Sequence, residues 1–241
     1  MENICIEAVN LSKSFKGRKV VDNLSFRIPK GTVFGLLGHN GAGKSTTIDM
    51  ILGIKKPDDG EAKVFGMDVR KSRKECFERI GVQLQSSSYQ GAIKVKEACE
   101  ERATLYKEAY DYKDLLKQFG LSKLENSLVN KLSGGEKQRL SVALTLIGKP
   151  EVIFLDELTT GLDVASRREV WKNLIDLKKK GLTIFLTTHY MEEAEKLCDY
   201  ILLIKEGKEV ARGSVSELIK NSPYDNLEEA YLWYMGEEEN L

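Results

Sequence analysis

The sequence predicts an α/β protein with a mostly parallel core sheet, antiparallel strands at its N-terminal end and a helical lobe inserted into the core. Three observations predict it. A short apolar run at residues 32–37 leads through a glycine loop into a helix-forming stretch at 45–52. After Pro150, apolar strand-like runs alternate with helical stretches, the pattern of a parallel sheet covered on both faces. Between these regions, residues 86–149 hold no convincing strand.

Each element has a local reason. Residues 4–11 and 20–28 alternate as strands around a turn at Lys16-Gly17-Arg18, and Pro29-Lys30-Gly31 turns the chain into the buried strand at 32–37. Past the first helix, Lys56-Pro57-Asp58-Asp59-Gly60 is a turn before a strand at 61–65. A short helix at 72–79 precedes a strand at 80–84 that ends at Gln85. Helices are expected at 95–106, at 113–119 with Gly120 as a stop, and at 133–146. The core then resumes with strands at 152–155, 183–187 and 200–204 and helices at 166–180 and 191–197. Gly207 makes a hairpin turn into a strand at 208–212, and helices at 215–220 and 227–235 close the chain. In the last helix Leu227, Ala230, Tyr231 and Tyr234 share one face, a packing stripe. The expected division is a core lobe of residues 1–85 and 150–241 with a helical lobe at about 86–149.

The bulk composition narrows the function. The chain has 241 residues, enough for a substantial core, with 41% hydrophobic and 31% charged residues. Lys+Arg and Asp+Glu both number 37, so there is no electrostatic footprint for a long nucleic-acid contact, and no nucleic-acid partner is expected. Cys5, Cys76, Cys99 and Cys198 are scattered without metal-ligand spacing and read as reduced thiols of the cytosol. No apolar run reaches membrane-spanning length, and Met1-Glu2-Asn3 does not begin a signal peptide, so any link to a membrane is expected to come through a partner. The acidic stretch Glu237-Glu238-Glu239 reads as a solvated tail.

Two motifs carry chemistry. Gly38-His39-Asn40-Gly41-Ala42-Gly43-Lys44-Ser45-Thr46 fits the phosphate-loop pattern and has the strand in front and the helix behind that the pattern demands. Glycines let successive N–H groups point inward at one anion, and the helix start adds its dipole. Lys44 supplies a point charge for the outer phosphates, and the Ser45 hydroxyl can ligate Mg²⁺. The second motif is the apolar strand Val152-Ile153-Phe154-Leu155 ending in Asp156-Glu157. Acids at the C-terminal edge of a parallel sheet stand where such sheets bind ligands, although many such acids only cap helices. With the loop beside them, Asp156 is expected to hold Mg²⁺ or its waters, and Glu157 to orient a water attacking a phosphate.

A third stretch, Leu132-Ser133-Gly134-Gly135-Glu136-Lys137-Gln138-Arg139, resembles the signature motif of the ATP-binding-cassette (ABC) ATPases, and the resemblance covers essentially the whole chain. Ser133 with the amides of Gly134 and Gly135 makes another anion site at a helix start. It is equally an N-cap with Glu136 completing a capping box, and both can hold at once. The resemblance implies a phosphate-loop NTPase of the ABC fold as a single domain over 1–241, with ATP and Mg²⁺ as cofactors. It also implies a head-to-tail dimer in which Ser133, Gly134, Gly135 and Glu136 of one subunit close over ATP held by the loop of another, most simply a homodimer. By the same resemblance Phe15 stacks on adenine, and Gln85 reaches the metal and the attacking water and hinges the helical lobe. Gly161-Leu162-Asp163 crosses between subunits, and His189 contacts the γ-phosphate. Gln83 is an alternative to Gln85, since strand alternation puts both on one face. The sequence departs from the family after Asp156-Glu157, where Leu158 replaces the usual proline and leaves the backbone freer.

A cassette of this kind most resembles the nucleotide-binding subunit of an ABC transporter, peripheral on the cytoplasmic face of the cell membrane and docked to a membrane permease through residues near 86–95. The stretch from Ile80 to Gln85, Ile93-Lys94-Val95-Lys96-Glu97 and the ending around Asn226-Leu227-Glu228-Glu229 resemble exporter-type cassettes of drug, peptide or lipid efflux. Rival readings are a regulatory ABC ATPase that signals to a membrane partner without moving cargo, and a soluble ABC ATPase. The latter would ordinarily carry two cassettes or a long insertion, and a net basic surface.

Overall fold

The structure is a computed structural model and describes residues 3–83 and 92–237. Strand β1 (Ile4–Phe15) pairs antiparallel with β2 (Arg18–Pro29) across a two-residue turn in which Lys16 and Gly17 both have positive φ, 49° and 81°. That conformation matches the right-handed twist of a hairpin, and glycine takes it without a Cβ penalty. Both strands run further than their alternation predicts. Asn10 and Asn23 take left-handed backbone where the register shifts, so the ladder continues while the period of two is broken. Strand β4 (Asp59–Val64) pairs with the other edge of β1 and completes a three-stranded antiparallel sheet.

The main sheet has six strands in the order β5 (Ile80–Gln83), β6 (Val152–Asp156), β7 (Thr183–Thr188), β3 (Val33–Leu37), β8 (Tyr200–Lys205) and β9 (Lys208–Gly213). The first five are parallel, and β9 returns antiparallel through the Glu206-Gly207 turn. This is the expected α/β class with a mostly parallel core. All residues of β3, β6 and β7 are buried, around apolar runs at 33–37, 152–155 and 184–186.

Helix α1 (Lys44–Ile51) lies between the two sheets, with Ile48, Met50 and Ile51 in a shared core. Phe26 of β2 stacks on Phe34 of β3 at 5.2 Å between ring centroids. Phe185 of β7 meets Phe34 at 5.6 Å and Phe154 of β6 at 5.4 Å, so one aromatic row ties four strands together. Short helix α2 (Arg73–Phe77) is one turn where a longer helix was expected.

Among the described residues between 92 and 149 there is no strand, only an isolated bridge from Lys94 to Leu128. Helices α3 (Val95–Ala103), α4 (Tyr112–Gln118) and α5 (Gly134–Leu146) fill this region. Helix α3 ends three residues before the expected Tyr106, whose ring presses against Gly148 so closely that a Cβ there would lie 2.3 Å from it. Helix α6 (Val164–Lys179) packs with α5 and the sheet in a second core, and α7 (Met191–Leu197) follows β7. Helices α8 (Val215–Lys220) and α9 (Leu227–Met235) cover the β8 side. Leu227, Ala230 and Tyr231 of the expected stripe are buried, and Tyr234 is half-buried with its hydroxyl donating to the Leu218 carbonyl.

Candidate nucleotide site

The glycine loop leaves the C-terminal end of β3, and its glycines are there for identifiable reasons. A Cβ on Gly38 would lie 2.4 Å from the Ile204 carbonyl oxygen. Gly43 has φ 108°, and its Cβ would lie 2.5 Å from the Val20 carbonyl oxygen. The loop is bolted to its surroundings, since the Gly207 amide donates to Ala42 O at 2.9 Å and the Asp22 amide donates to Gly207 O at 2.9 Å. Gly43 caps α1 without a side chain, and the Thr47 hydroxyl and amide both donate to its carbonyl. The first-turn amides of a helix have no partner within it, so this start presents donors and a positive dipole end to an anion. His39, Asn40 and Gly41 at the tip are exposed, as is Ser45, while Ala42 is buried and Thr46 half-buried.

Lys44 is buried at 4% exposure and folds back across its own loop, donating to Gly38 O at 2.7 Å and His39 O at 3.1 Å. Its ammonium is 3.4 Å from Glu157 Oε1, and the same oxygen is 3.7 Å from His189 Nδ1. The arrangement follows from the sheet order. Leu37 and Thr188 are register partners, as are Asp156 and Thr187, so the ends of β3, β7 and β6 lie side by side. Asp156 is buried and accepts a hydrogen bond from the Thr187 hydroxyl. The Glu157 amide, 3.1 Å from both Thr187 O and Thr187 Oγ1, fixes the turn.

Glu157 has φ 50°, a left-handed backbone that costs a residue with a Cβ about 1–2 kcal/mol. Such strain collects at functional sites, where the surroundings over-determine it. A proline at 158 would restrict Glu157 towards extended backbone. Leu158 does not, and its own side chain is buried in the α5–α6 core.

The structure thus brings together Lys44, Asp156, Glu157 and His189 beside the loop, and leaves other expected residues elsewhere. Phe15 is 40% exposed at the end of β1, with the ammoniums of Lys13 and Lys55 5.7 and 5.8 Å from its ring centroid. It does not line the cavity of about 840 Å³ beside the loop, whose walls include Arg18, Val20, His39, Asn40 and Lys205. Ser133 caps α5 in the expected capping box. Its hydroxyl accepts from the Glu136 amide at 3.3 Å, and its own amide donates to Glu136 Oε2 at 2.8 Å, which holds the Glu136 carboxyl below its ordinary range. Ser133 and Gly134 are exposed. Gly135 is buried where a Cβ would lie 2.4 Å from Ser166 Oγ. Among the described residues no hydrogen bond or ion pair joins Ser133, Gly134, Gly135 or Glu136 to the phosphate loop. Asp163 is exposed and caps α6, accepting from the Ser166 amide at 2.9 Å and its hydroxyl at 2.7 Å, bonds that lower its pKa. Gln85 lies outside the described residues. Gln83 ends β5, is buried, and lines a cavity with Gly134, Ser141 and Gly161.

Several contacts were not legible in the sequence, among them the Thr187 bond to Asp156 and the back-folded lysine. His39 Nε2 is 3.1 Å from Glu237 Oε1, and its ring is 5.6 Å from that of Tyr231, so the residue expected to begin a solvated tail touches the loop. Burial pushes the Cys5 thiol up to about 11 and the Cys99 thiol up to about 12, which disfavours the reactive thiolate at both.

A phosphate loop before a buried helix, with a lysine, two acids and a histidine at the edge of a parallel sheet, defines a nucleoside-triphosphate hydrolase of the phosphate-loop class. The comparisons with known proteins carry this further. A model of the ABC transporter family matches residues 21–160. The chain is 38% identical over 231 residues to the Nod factor export ATP-binding protein I of Paraburkholderia xenovorans, covering 91% of this chain and 74% of that protein. It is 38% identical over 220 residues to the daunorubicin/doxorubicin resistance ATP-binding protein DrrA of Streptomyces peucetius, covering 88% and 66%. Against the probable multidrug ABC transporter ATP-binding protein YbhF of Escherichia coli the identity is 35% over 241 residues, and the chain spans 41% of that relative's length. A solved ATP-binding subunit of an ABC transporter superposes with TM-score 0.86 at 24% identity over 96% of this chain and 99% of that one. The chain belongs to the ABC transporter family and is its ATP-binding subunit, an ATPase.

Proposed function

We propose that this subunit hydrolyses ATP at a composite site and drives a separate membrane permease, in the direction of export. The single observation that carries the hydrolytic assignment is the convergence of Lys44, Glu157 and His189, with Glu157 Oε1 at 3.4 Å from the lysine and 3.7 Å from the histidine. In this reading the first-turn amides of α1 and Lys44 bind the triphosphate. Glu157 orients the attacking water, and His189 faces the γ-phosphate. Phosphoryl transfer asks for positioning and charge stabilisation, and these groups supply both.

Magnesium fits the donors present. Asp156 offers a carboxylate that Thr187 already orients, and Ser45 an exposed hydroxyl, which suits an ion that takes few protein ligands and completes its shell with phosphate and water. Among the described residues no cluster of three His, Cys, Asp or Glu forms an all-protein metal site. When bound, Mg²⁺ would neutralise charge on the phosphates. Gln85 is proposed as a further contact to that ion and the water.

Among the described residues no hydrogen bond or ion pair joins the exposed Ser133-Gly134 turn to the phosphate loop of its own chain. A head-to-tail pair of copies would set it, with Asp163, against the partner's loop, and a cap that already orients its amides supports this. The permease would dock near residues 86–95, of which 86–91 lie outside the described residues. No helix among the described residues is long and apolar enough to cross a membrane, so the partner would hold the subunit at the cytoplasmic face. Export is supported by relatives named for Nod factor export and for daunorubicin/doxorubicin resistance.

The test is Glu157→Gln. Turnover is expected to fall by ~10²–10³, equivalent to ~3–4 kcal/mol of barrier, while ATP binding persists. Normal turnover in this variant would remove Glu157 from its role.

A further inference from the structure

His189 is held in an unusual way. Its Nδ1 is buried, takes no hydrogen bond, and is 3.7 Å from Glu157, too far for one. What touches the ring is Tyr190, 4.2 Å away between centroids and tilted by 38°. Tyr190 is itself fixed from two sides. Its amide donates to Thr188 Oγ1 at 3.0 Å, closing the turn after β7, and the guanidinium of Arg167 lies over its ring at 4.5 Å. Arg167 stands one turn into α6, and its Nε is buried without a hydrogen-bond partner, so ring contact takes the place of an ion pair. One turn further along α6, the buried Trp171 indole donates to the buried Glu193 of α7 at 3.1 Å. The two contacts together clamp α6 against the start of α7. Arg167, His189 and Tyr190 line one cavity of about 450 Å³ that also reaches His39 of the phosphate loop.

We propose that Arg167 is a positioning residue for ATP hydrolysis: through the Tyr190 ring it sets the orientation of His189 at the transferred phosphate. The inference rests on the reading of His189 as the group that faces the γ-phosphate. Because α6 is capped by Asp163, one turn before Arg167, the column also gives that exposed cap a mechanical route to His189. Displacement of a catalytic group by about 1 Å can cost up to ~10²-fold in rate, so loss of the ring contact should act on turnover. A direct phosphate contact by Arg167 would act on nucleotide affinity instead.

The experiment compares kcat and KM for ATP in Arg167→Met, Tyr190→Leu, Tyr190→Phe, His189→Ala and Arg167→Met combined with His189→Ala. It is read beside the histidine ring resonances in the NMR spectrum. The chain has two histidines, so His39→Gln assigns both. Arg167→Met and Tyr190→Leu are each expected to lower kcat about tenfold, with KM changed less than about twofold, and to shift the His189 resonances. Tyr190→Phe is expected to restore the rate lost in Tyr190→Leu, and Arg167→Met to add nothing to His189→Ala. If His189→Ala turns over normally, the reading beneath the inference falls. If His189→Ala is slow but Arg167→Met is normal, raises KM alone, slows additively or leaves the His189 resonances in place, the inference falls and the reading stands. Tyr190→Leu probes the column separately should Arg167→Met fail to fold.

Discussion

At the scale of single residues, Lys44 and Glu157 hold each other in the structure: a buried ammonium across two loop carbonyls, and a carboxylate on strained backbone beside it. The lysine's proposed work is to meet phosphate, a charge-assisted contact of about 1.5–3 kcal/mol. Lys44→Ala is therefore expected to weaken ATP binding about 10- to 150-fold by equilibrium titration. The loss should appear in affinity, whereas Glu157→Gln loses turnover. Residue identities at this scale were the most legible, because the glycine loop and the Asp156-Glu157 pair follow from what phosphate chemistry requires. Side-chain contacts were not legible. Nothing in the spacing of Arg167 and Tyr190 places them in contact, and the His39–Glu237 pair joins residues that only the packing of α9 brings together.

Among elements, the central strands β3, β6 and β7 of the parallel sheet were readable because each is built on a short apolar run buried on both faces. The ends of β1 and β2 were not, because irregularities at Asn10 of β1 and Asn23 of β2 break the alternation that marks a strand. The capping boxes at Ser133 and Ser214 show how a helix start can be written locally. Ties between elements are another matter. Glu151, just before β6, binds Arg79, just before β5, at 2.5 Å and Lys30, just before β3, at 2.9 Å. The Arg79 hydrogen bond is the main cause that lowers the Glu151 carboxyl from about 4.5 to about 2. A depressed carboxylate stabilises the fold above its unfolded pKa, and the contribution is lost as pH falls towards its folded value. Glu151→Gln is therefore expected to be less stable than wild type above about pH 4.5, with the gap closing as pH falls towards 2. Urea unfolding across that range checks it. The pair is partly exposed, so the gap is expected to be modest and to shrink in salt.

For the whole molecule, the proposed site is shared between two copies. One chain carries a phosphate loop with its acids and histidine, and separately an exposed serine-glycine helix start that no hydrogen bond or ion pair among the described residues joins to that loop. In the proposed arrangement these halves meet only between two copies. Mixing two inactive variants tests it most directly. Lys44→Ala damages the loop, and Ser133→Arg blocks the turn. In a head-to-tail mixed pair, one site receives both lesions and the other receives none. ATP hydrolysis measured on the mixture is expected to rise clearly above that of either variant alone. A mixture that stays as inactive as its components, under conditions where subunit exchange is demonstrated, would rule out a site shared between two copies.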